Sequence, residues 1–447
     1  MPDPEAAQQQ SRSWQESVYE RLASDQDGRV CHGLSDEACR ETPGNFMRIL
    51  VANALTSIGD RLASAKTTLP WLLSAAGAPH WMHSLLVPIR ESGSMLPQMI
   101  IGAWARSRAI RKWLWVIGSI MQGLCLILMA WAALTLSGVW VGTVVIVALT
   151  LFALARGLCS IAHKDVLGKT IPKSRRGRLG GWIGFVAGIC ALGTGAGMAL
   201  IPDAQDGVGV FVALLLIAAL LWGVAAAAYA RIMEFPGETD GGVNGLRTAF
   251  AQLRLLVDDA PFRRFVTARA LAMGSGLVAP FYIILAREDL GGAASLLGWF
   301  IAMEGLASLL SAPVWGRYAD RSSRLVFACA CALASLMTLS VVLWSWWQPS
   351  MAGSQWFYPF AFFVLGIAHE GVRLGRKTYL LDCAEGNTRT AYTAVSNSVI
   401  GAALLLAGGL GSVAALLSVQ TAMLFLGIAG LLGAFLSWRL PEVSQPV

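Results

Sequence analysis

Long apolar runs alternate with short polar stretches from Asn45 to Trp438. An α-helix rises about 1.5 Å per residue, so roughly 20 residues cross a hydrocarbon layer about 30 Å thick. Twelve stretches are long enough: residues 45–74, 80–104, 113–136, 138–162, 179–202, 207–231, 262–286, 293–317, 324–347, 355–380, 388–415 and 418–438. The pattern predicts an all-α integral membrane protein with twelve transmembrane helices. The polar stretches between them carry a directional signal. With the amino terminus placed in the cytoplasm, the five inward loops and their flanking helix ends hold 21 Lys or Arg, and the six outward loops hold one, Arg287. Positively charged loops resist translocation, so both termini are expected to be cytoplasmic, in a bacterial inner membrane.

An internal repeat divides the pattern. Arg48-x-x-x-Ala52-x-Ala54-Leu55 recurs as Arg264-x-x-x-Ala268-x-Ala270-Leu271, an offset of 216 residues. Gly102 matches Gly316 at 214, and Lys169-Thr170 matches Lys377-Thr378 at 208. A common offset near half the membrane portion predicts two six-helix halves related in parallel, a plan used by transporters. The expected divisions are a polar acidic tail over 1–44, an amino-terminal half over 45–231, a cytoplasmic central loop over 232–261, a carboxy-terminal half over 262–440 and a short tail over 441–447. Within the central loop, Leu246, Ala249, Phe250, Leu253, Leu256 and Val257 form one helical stripe, suited either to the inner membrane surface or to the bundle's cytoplasmic face.

Composition agrees with this plan. Of 447 residues only 14% are charged and 55% are hydrophobic, against roughly 25% charged in soluble proteins. That excludes a soluble enzyme and a disordered chain. The formal charge of +7 is no nucleic-acid footprint, because residues 1–44 are acidic and the basic residues cluster between apolar runs. The tail lacks the basic start, apolar core and small-residue site of a cleavable signal, so the first apolar helix is expected to direct insertion. Eight cysteines without CxxC spacing predict neither a disulfide framework nor a metal site. No GxSxG, HExxH, GxxxxGK[ST] or GxGxxG motif is present, which leaves ATP-driven transport and familiar hydrolysis without support. No cofactor is expected.

The loop Gly316-Arg317-Tyr318-Ala319-Asp320-Arg321-Ser322-Ser323-Arg324 resembles the G-x-x-x-D-R-x-G-R signature of the major facilitator superfamily, with Ser323 in place of the second glycine. The matching loop after the second helix begins at Gly102 and has Arg106 where the family has Asp. The resemblance implies a close helix contact at Gly316 and Gly102, and a gating role for Asp320, Arg321 and Arg324. Arg156 looks like the family's helix 4 arginine. The Gly-rich fifth helix lacks the Gly-Pro pair of the family's antiporters. The family also implies that helices 1, 4, 7 and 10 line a central cavity.

Ten charged residues lie within the predicted helices: Asp60, Arg61, Lys66, Arg90, Glu91, Arg156, Arg269, Glu304, Glu370 and Arg373. At about 2.5–3.5 kcal/mol each on insertion scales, ten charges facing lipid would cost about 25–35 kcal/mol. That exceeds a net folding stability of about 5–15 kcal/mol. They must face one another or a water-filled cavity. Asp60, Glu91 and Glu304, near helix midpoints, are candidate proton carriers or else permanently ionised salt-bridge partners. Glu370 can pair with Arg373 at i, i+3, and His369 beside it is a candidate proton relay. Arg61, Lys66 and Arg269 are candidates for holding an anionic solute group, or for packing against Asp60 or Glu304. The ten charges sum to +2, which favours an anionic or zwitterionic solute. His80 and His83 sit at an outer helix end, where an interfacial role outweighs metal binding.

These features predict a secondary active transporter of a small organic solute, working by alternating access, coupled to H+ and monomeric in the bilayer. A proton-driven exporter of drugs or metabolites and a non-transporting membrane sensor of the same fold remain alternatives.

Overall fold

The apolar stretches fold as helices, and two of them are interrupted near a proline. The computed structural model describes residues 36–96, 108–199, 208–236, 252–291, 294–347, 354–383 and 388–443. Helices stand at all twelve predicted positions, and no strand occurs among the described residues. In chain order they are α1 (Thr42–Leu62 and Thr68–Ala75), α2 (His80–Met95), α3 (Lys112–Thr135), α4 (Gly138–Thr170), α5 (Lys173–Ala199) and α6 (Gly209–Ala230). The second set is α7 (Ala260–Leu271, Gly274–Leu277 and Ala279–Leu290), α8 (Ala294–Arg321), α9 (Ser323–Trp347), α10 (Phe357–Asp382), α11 (Thr388–Leu417) and α12 (Val419–Trp438). Eight are long and apolar enough to cross a membrane by themselves: α3, α4, α6, α7, α8, α9, α11 and α12. The other four are the charge-bearing α1, α2 and α10 and the Gly-rich α5.

The first helix of each set departs from the unbroken spans 45–74 and 262–286. Proline has no N–H to donate, and its ring clashes with the carbonyl four residues back. Pro70 therefore bars a helix from passing through Lys66, and α1 opens between Leu62 and Thr68. Pro280 stands in the first turn of the last segment of α7, and α7 is interrupted at Ala272–Met273 and at Val278. The two prolines are 210 residues apart, so the breaks occupy the same level of the repeat.

The buried apolar residues form three clusters, and their distribution shows how the halves meet. One cluster draws on both halves and includes Trp71, Leu86, Phe152, Trp222, Phe281, Tyr282, Phe300 and Phe362. A second contains only amino-terminal residues such as Phe46, Trp115, Val166 and Tyr229. The third contains only carboxy-terminal ones such as Phe262, Phe265, Phe327 and Tyr379. The second and third lie toward the face where the chain ends emerge, here the terminal face. The halves thus share a core toward the opposite face and part toward the terminal face.

Two helix pairs join them: α2 runs along α11, and α5 along α8. Small residues allow the approach. A Cβ on Gly195 of α5 would lie 2.3 Å from the Ala302 backbone nitrogen of α8, and one on Gly408 of α11 would lie 2.5 Å from Pro88 of α2. Polar stitches support the same seam. Ser92 Oγ donates to the Gly401 carbonyl (2.8 Å), and the Ser84 and Ser412 hydroxyls are 2.6 Å apart.

The opposite face is closed more firmly. Trp71 is fully buried against Phe300. Arg287, the one Lys or Arg expected in the outward loops, donates to the Trp71 carbonyl (3.3 Å) and lies 5.9 Å from its ring. His80 of α2 lies 3.4 Å from Glu288 of α7, an acid not expected there. His83 is not at an interface; it is fully buried and bonds the Pro70 and Pro79 carbonyls.

Each half fastens its own terminal face. The Glu234 carboxylate, fully buried, accepts from the Arg111 and Lys112 backbone amides at the start of α3 and from Lys169 Nζ (2.9 Å) at the end of α4. In the other half, Arg324 pairs with Glu442 (3.3 Å) and donates to the Leu440 carbonyl (2.9 Å). Of the central-loop stripe, Leu246, Ala249 and Phe250 lie outside the described residues. Leu253 and Leu256 pack on the carboxy-terminal cluster, whereas Val257 is exposed. Contrary to the cysteine spacing, Cys39 is disulfide-bonded.

Candidate functional site

The charges that cannot face lipid need somewhere to go, and the parting of the halves supplies it. A cavity of about 500 Å³ lies between them, and all ten embedded charged residues line it. It also takes in His369 and a further cation, Arg376.

Two helix features place these groups. The break in α1 carries Arg61 and Lys66 into the space between the halves, where a continuous helix would have kept Lys66 on its own surface. The Arg61 guanidinium meets Glu304 of α8 at 3.0 Å. Lys66 Nζ meets His369 Nε2 of α10 at 2.8 Å. Both contacts cross from one half to the other. On α10, His369 and Arg376 are seven residues apart and share a face.

Asp60 is held within its own half. Arg90 approaches Oδ1 and Arg156 approaches Oδ2, each at 2.5 Å. Arg90 also lies over the Phe152 ring, 4.8 Å from its centroid. Glu370 forms its expected pair with Arg373, at 3.0 Å to Nε, and accepts from Ser308 Oγ (3.2 Å). Glu91 behaves otherwise than its neighbour Arg90 suggests: Arg90 turns to Asp60, and the Glu91 carboxylate makes no ion pair or hydrogen bond among the described residues. Arg269 is nearly buried and meets no acid among the described residues. It donates to Ser396 Oγ (2.6 Å) and Asn397 Oδ1 (3.1 Å) of α11.

Lined by seven cationic and four anionic side chains, with His369 uncounted, the cavity holds an excess of three positive charges. Its walls come from both halves, and the seal at Trp71, Phe300 and Arg287 closes one end. A chamber of this kind can hold a small polar solute away from lipid and release it on one side.

Known proteins support the architecture. A D-xylose–proton symporter superimposes with a TM-score of 0.65 at 15% identity, over 90% of this chain and 99% of that one. The nucleoside transporter NupG gives 0.65 at 12% identity, over 88% and 99%. A POT family transporter in complex with 5-aminolevulinic acid gives 0.66 at 11% identity, over 87% and 94%. The family model described as Major Facilitator Superfamily matches residues 264–447. This chain has the major facilitator fold. No curated protein matches it at a significant level.

The loop that resembles the major facilitator signature can now be placed. Gly316 lies in α8, where an added Cβ would meet nothing within 4 Å among the described residues, so no close contact depends on it in this conformation. Arg321 is exposed, and Arg324 fastens the end of α12. The backbone of Asp320 lies in the last turn of α8, which ends at Arg321. Gly102 and Arg106 lie outside the described residues. Among the described residues, no signature position touches the cavity.

Three contributors were missed in the sequence. Arg376 was counted with the loop charges that set orientation, although its spacing of seven from His369 places it on the cavity face. Ser396 and Asn397 lie in a helix without central charges, and nothing in α11 alone points to Arg269 as their partner.

Proposed function

We propose that this protein is a secondary active transporter that moves a small organic anion across a bacterial cytoplasmic membrane by alternating access, driven by protons. The observation that supports it is the collection of every embedded charge in one chamber between two halves, with a positive excess and a seal at one end. Lys and Arg crowd the terminal face, so that face is cytoplasmic and the conformation faces inward. Seven cations against four carboxylates favour a negatively charged solute and disfavour a hydrophobic cation.

The proton reading follows from which carboxylates are free to change. Asp60 would have to release two guanidinium bonds to accept a proton, so it serves as a fixed counter-charge for Arg90 and Arg156. Glu304 has one cationic partner, Arg61, and that partner belongs to the other half. Protonating Glu304 removes the attraction across the chamber and makes separation of the two halves easier at that level. His369, against Lys66, is the second such place. Glu91 and Glu370 stand in the same chamber as further proton sites.

Reconstituted protein is expected to move an organic anion faster when a pH gradient is imposed, and Glu304→Gln is expected to abolish that response while leaving solute exchange at equal pH. Flux that ignores the gradient in the unmodified protein contradicts proton coupling. Binding without counterflow favours a sensor.

A further inference from the structure

Most charges in the chamber are matched. Arg90 and Arg156 share Asp60, Arg61 meets Glu304, and Arg373 meets Glu370. Among the cations, Lys66 meets His369 in place of an acid, and Arg269 and Arg376 meet neither an acid nor His369 among the described residues. Arg269 is 6% exposed, its bonds run to the neutral side chains of Ser396 and Asn397, and its Nε is buried without an acceptor. Another cation, Arg376, stands in the same chamber wall. Arg376 lines the same chamber from α10 and makes no ion pair among the described residues; Glu91 faces it from the other half.

Burying a guanidinium without a counter-charge is unfavourable, and neutral hydrogen bonds recover only part of the lost hydration. A second cation beside it deepens the deficit. Such a pair is stabilised by an oxyanion, whose oxygens accept from guanidinium N–H groups in the planar geometry they present. The remaining candidate contacts are less available, because Arg61 and Lys66 are engaged by Glu304 and His369 across the halves.

We propose that Arg269 and Arg376 form the docking site for an oxyanion group, a carboxylate or a phosphate, on the transported solute. The proposal rests on the transporter reading above and assigns the solute's charged end to the carboxy-terminal half. Ser396 and Asn397 act as positioning residues that hold the Arg269 guanidinium toward the chamber.

The test uses the full chain in detergent, melted in titrations of sodium acetate, inorganic phosphate and sodium chloride at constant ionic strength. Acetate or phosphate is expected to raise Tm saturably while chloride does not, and the more effective of the two identifies the group. Arg269→Gln and Arg376→Gln are each expected to raise the half-saturating concentration at least tenfold, with Arg269→Lys losing less. Without any oxyanion, Arg269→Gln is expected to raise Tm, because an unmatched buried charge has been removed. A purely structural arginine gives the reverse. A shift no larger than that of chloride, half-saturation unchanged in both Gln variants, or a lower ligand-free Tm in Arg269→Gln overturns the proposal. If the reconstituted protein moves an organic anion and neither variant alters its KM, the docking site fails and the transporter reading stands. Absence of flux is a failure of that reading alone.

Discussion

Asp60 shows how a single carboxylate can be decisive without being mobile. It neutralises Arg90, whose side chain is 10% exposed, and Arg156, which is 40% exposed. Removing one partner of a buried charge cluster leaves the others uncompensated, typically at a cost of about 3–5 kcal/mol. Asp60→Asn is therefore expected to lower stability by about that amount in thermal melts. Adding Arg90→Gln should return part of the loss, with a coupling of about 1–3 kcal/mol in the double-mutant cycle. Additive effects would mean that the two side chains do not act together. At this scale the sequence was informative about membership and poor about pairing. Charge in an apolar helix is costly enough to declare that Asp60, Glu304 and their companions share a polar space. Which of them touch depends on helix rotation and neighbours, so Arg90 went to Asp60 and not to the adjacent Glu91.

Among the elements, the paired breaks in α1 and α7 and the close helix contacts set the chamber's shape. The breaks were readable in principle from Pro70 and Pro280, but both prolines sit in apolar runs that satisfy the length of a membrane span, and length outweighed the local signal. Helix positions were far more legible, since each needed only its apolar run. Helix ends were less so: α4 continues to Thr170, eight residues past its apolar stretch, because Thr170 and its neighbours pack under the start of α1. The α5–α8 contact depends on a missing side chain. Gly195→Ala places a methyl group 2.3 Å from the Ala302 backbone nitrogen, and backbone cannot be displaced as a flexible side chain can. Overpacking of this kind costs about 1–3 kcal/mol. The variant is expected to loosen the closed face, seen as faster maleimide labelling of a Ser57→Cys reporter in the chamber. Unchanged labelling would show that the seam tolerates the methyl.

For the whole molecule, the repeat and the basic loops were enough to anticipate two similar halves, because both signals accumulate over hundreds of residues. How the halves meet was not legible, since no local pattern in α2 names α11 as its neighbour. The chamber's two cross-half contacts offer a direct check. Arg61→Glu is expected to reduce transport at least tenfold by setting like charges against Glu304, and adding Glu304→Arg should restore much of it. Failure of the double variant to recover would indicate that the two positions have separate duties. A further consequence lies in where the links between halves sit. Among the described residues, every polar link between the halves lies in the chamber or toward the opposite face, whereas the terminal-face fasteners, Glu234 and Arg324, each stay within one half. In the alternating-access cycle proposed above, turning the chamber over severs the first set and need not disturb the second. On that proposal the resting preference for one orientation is set on the closed side of the chamber, and mutations there are expected to retune the balance between orientations without altering what the chamber recognises.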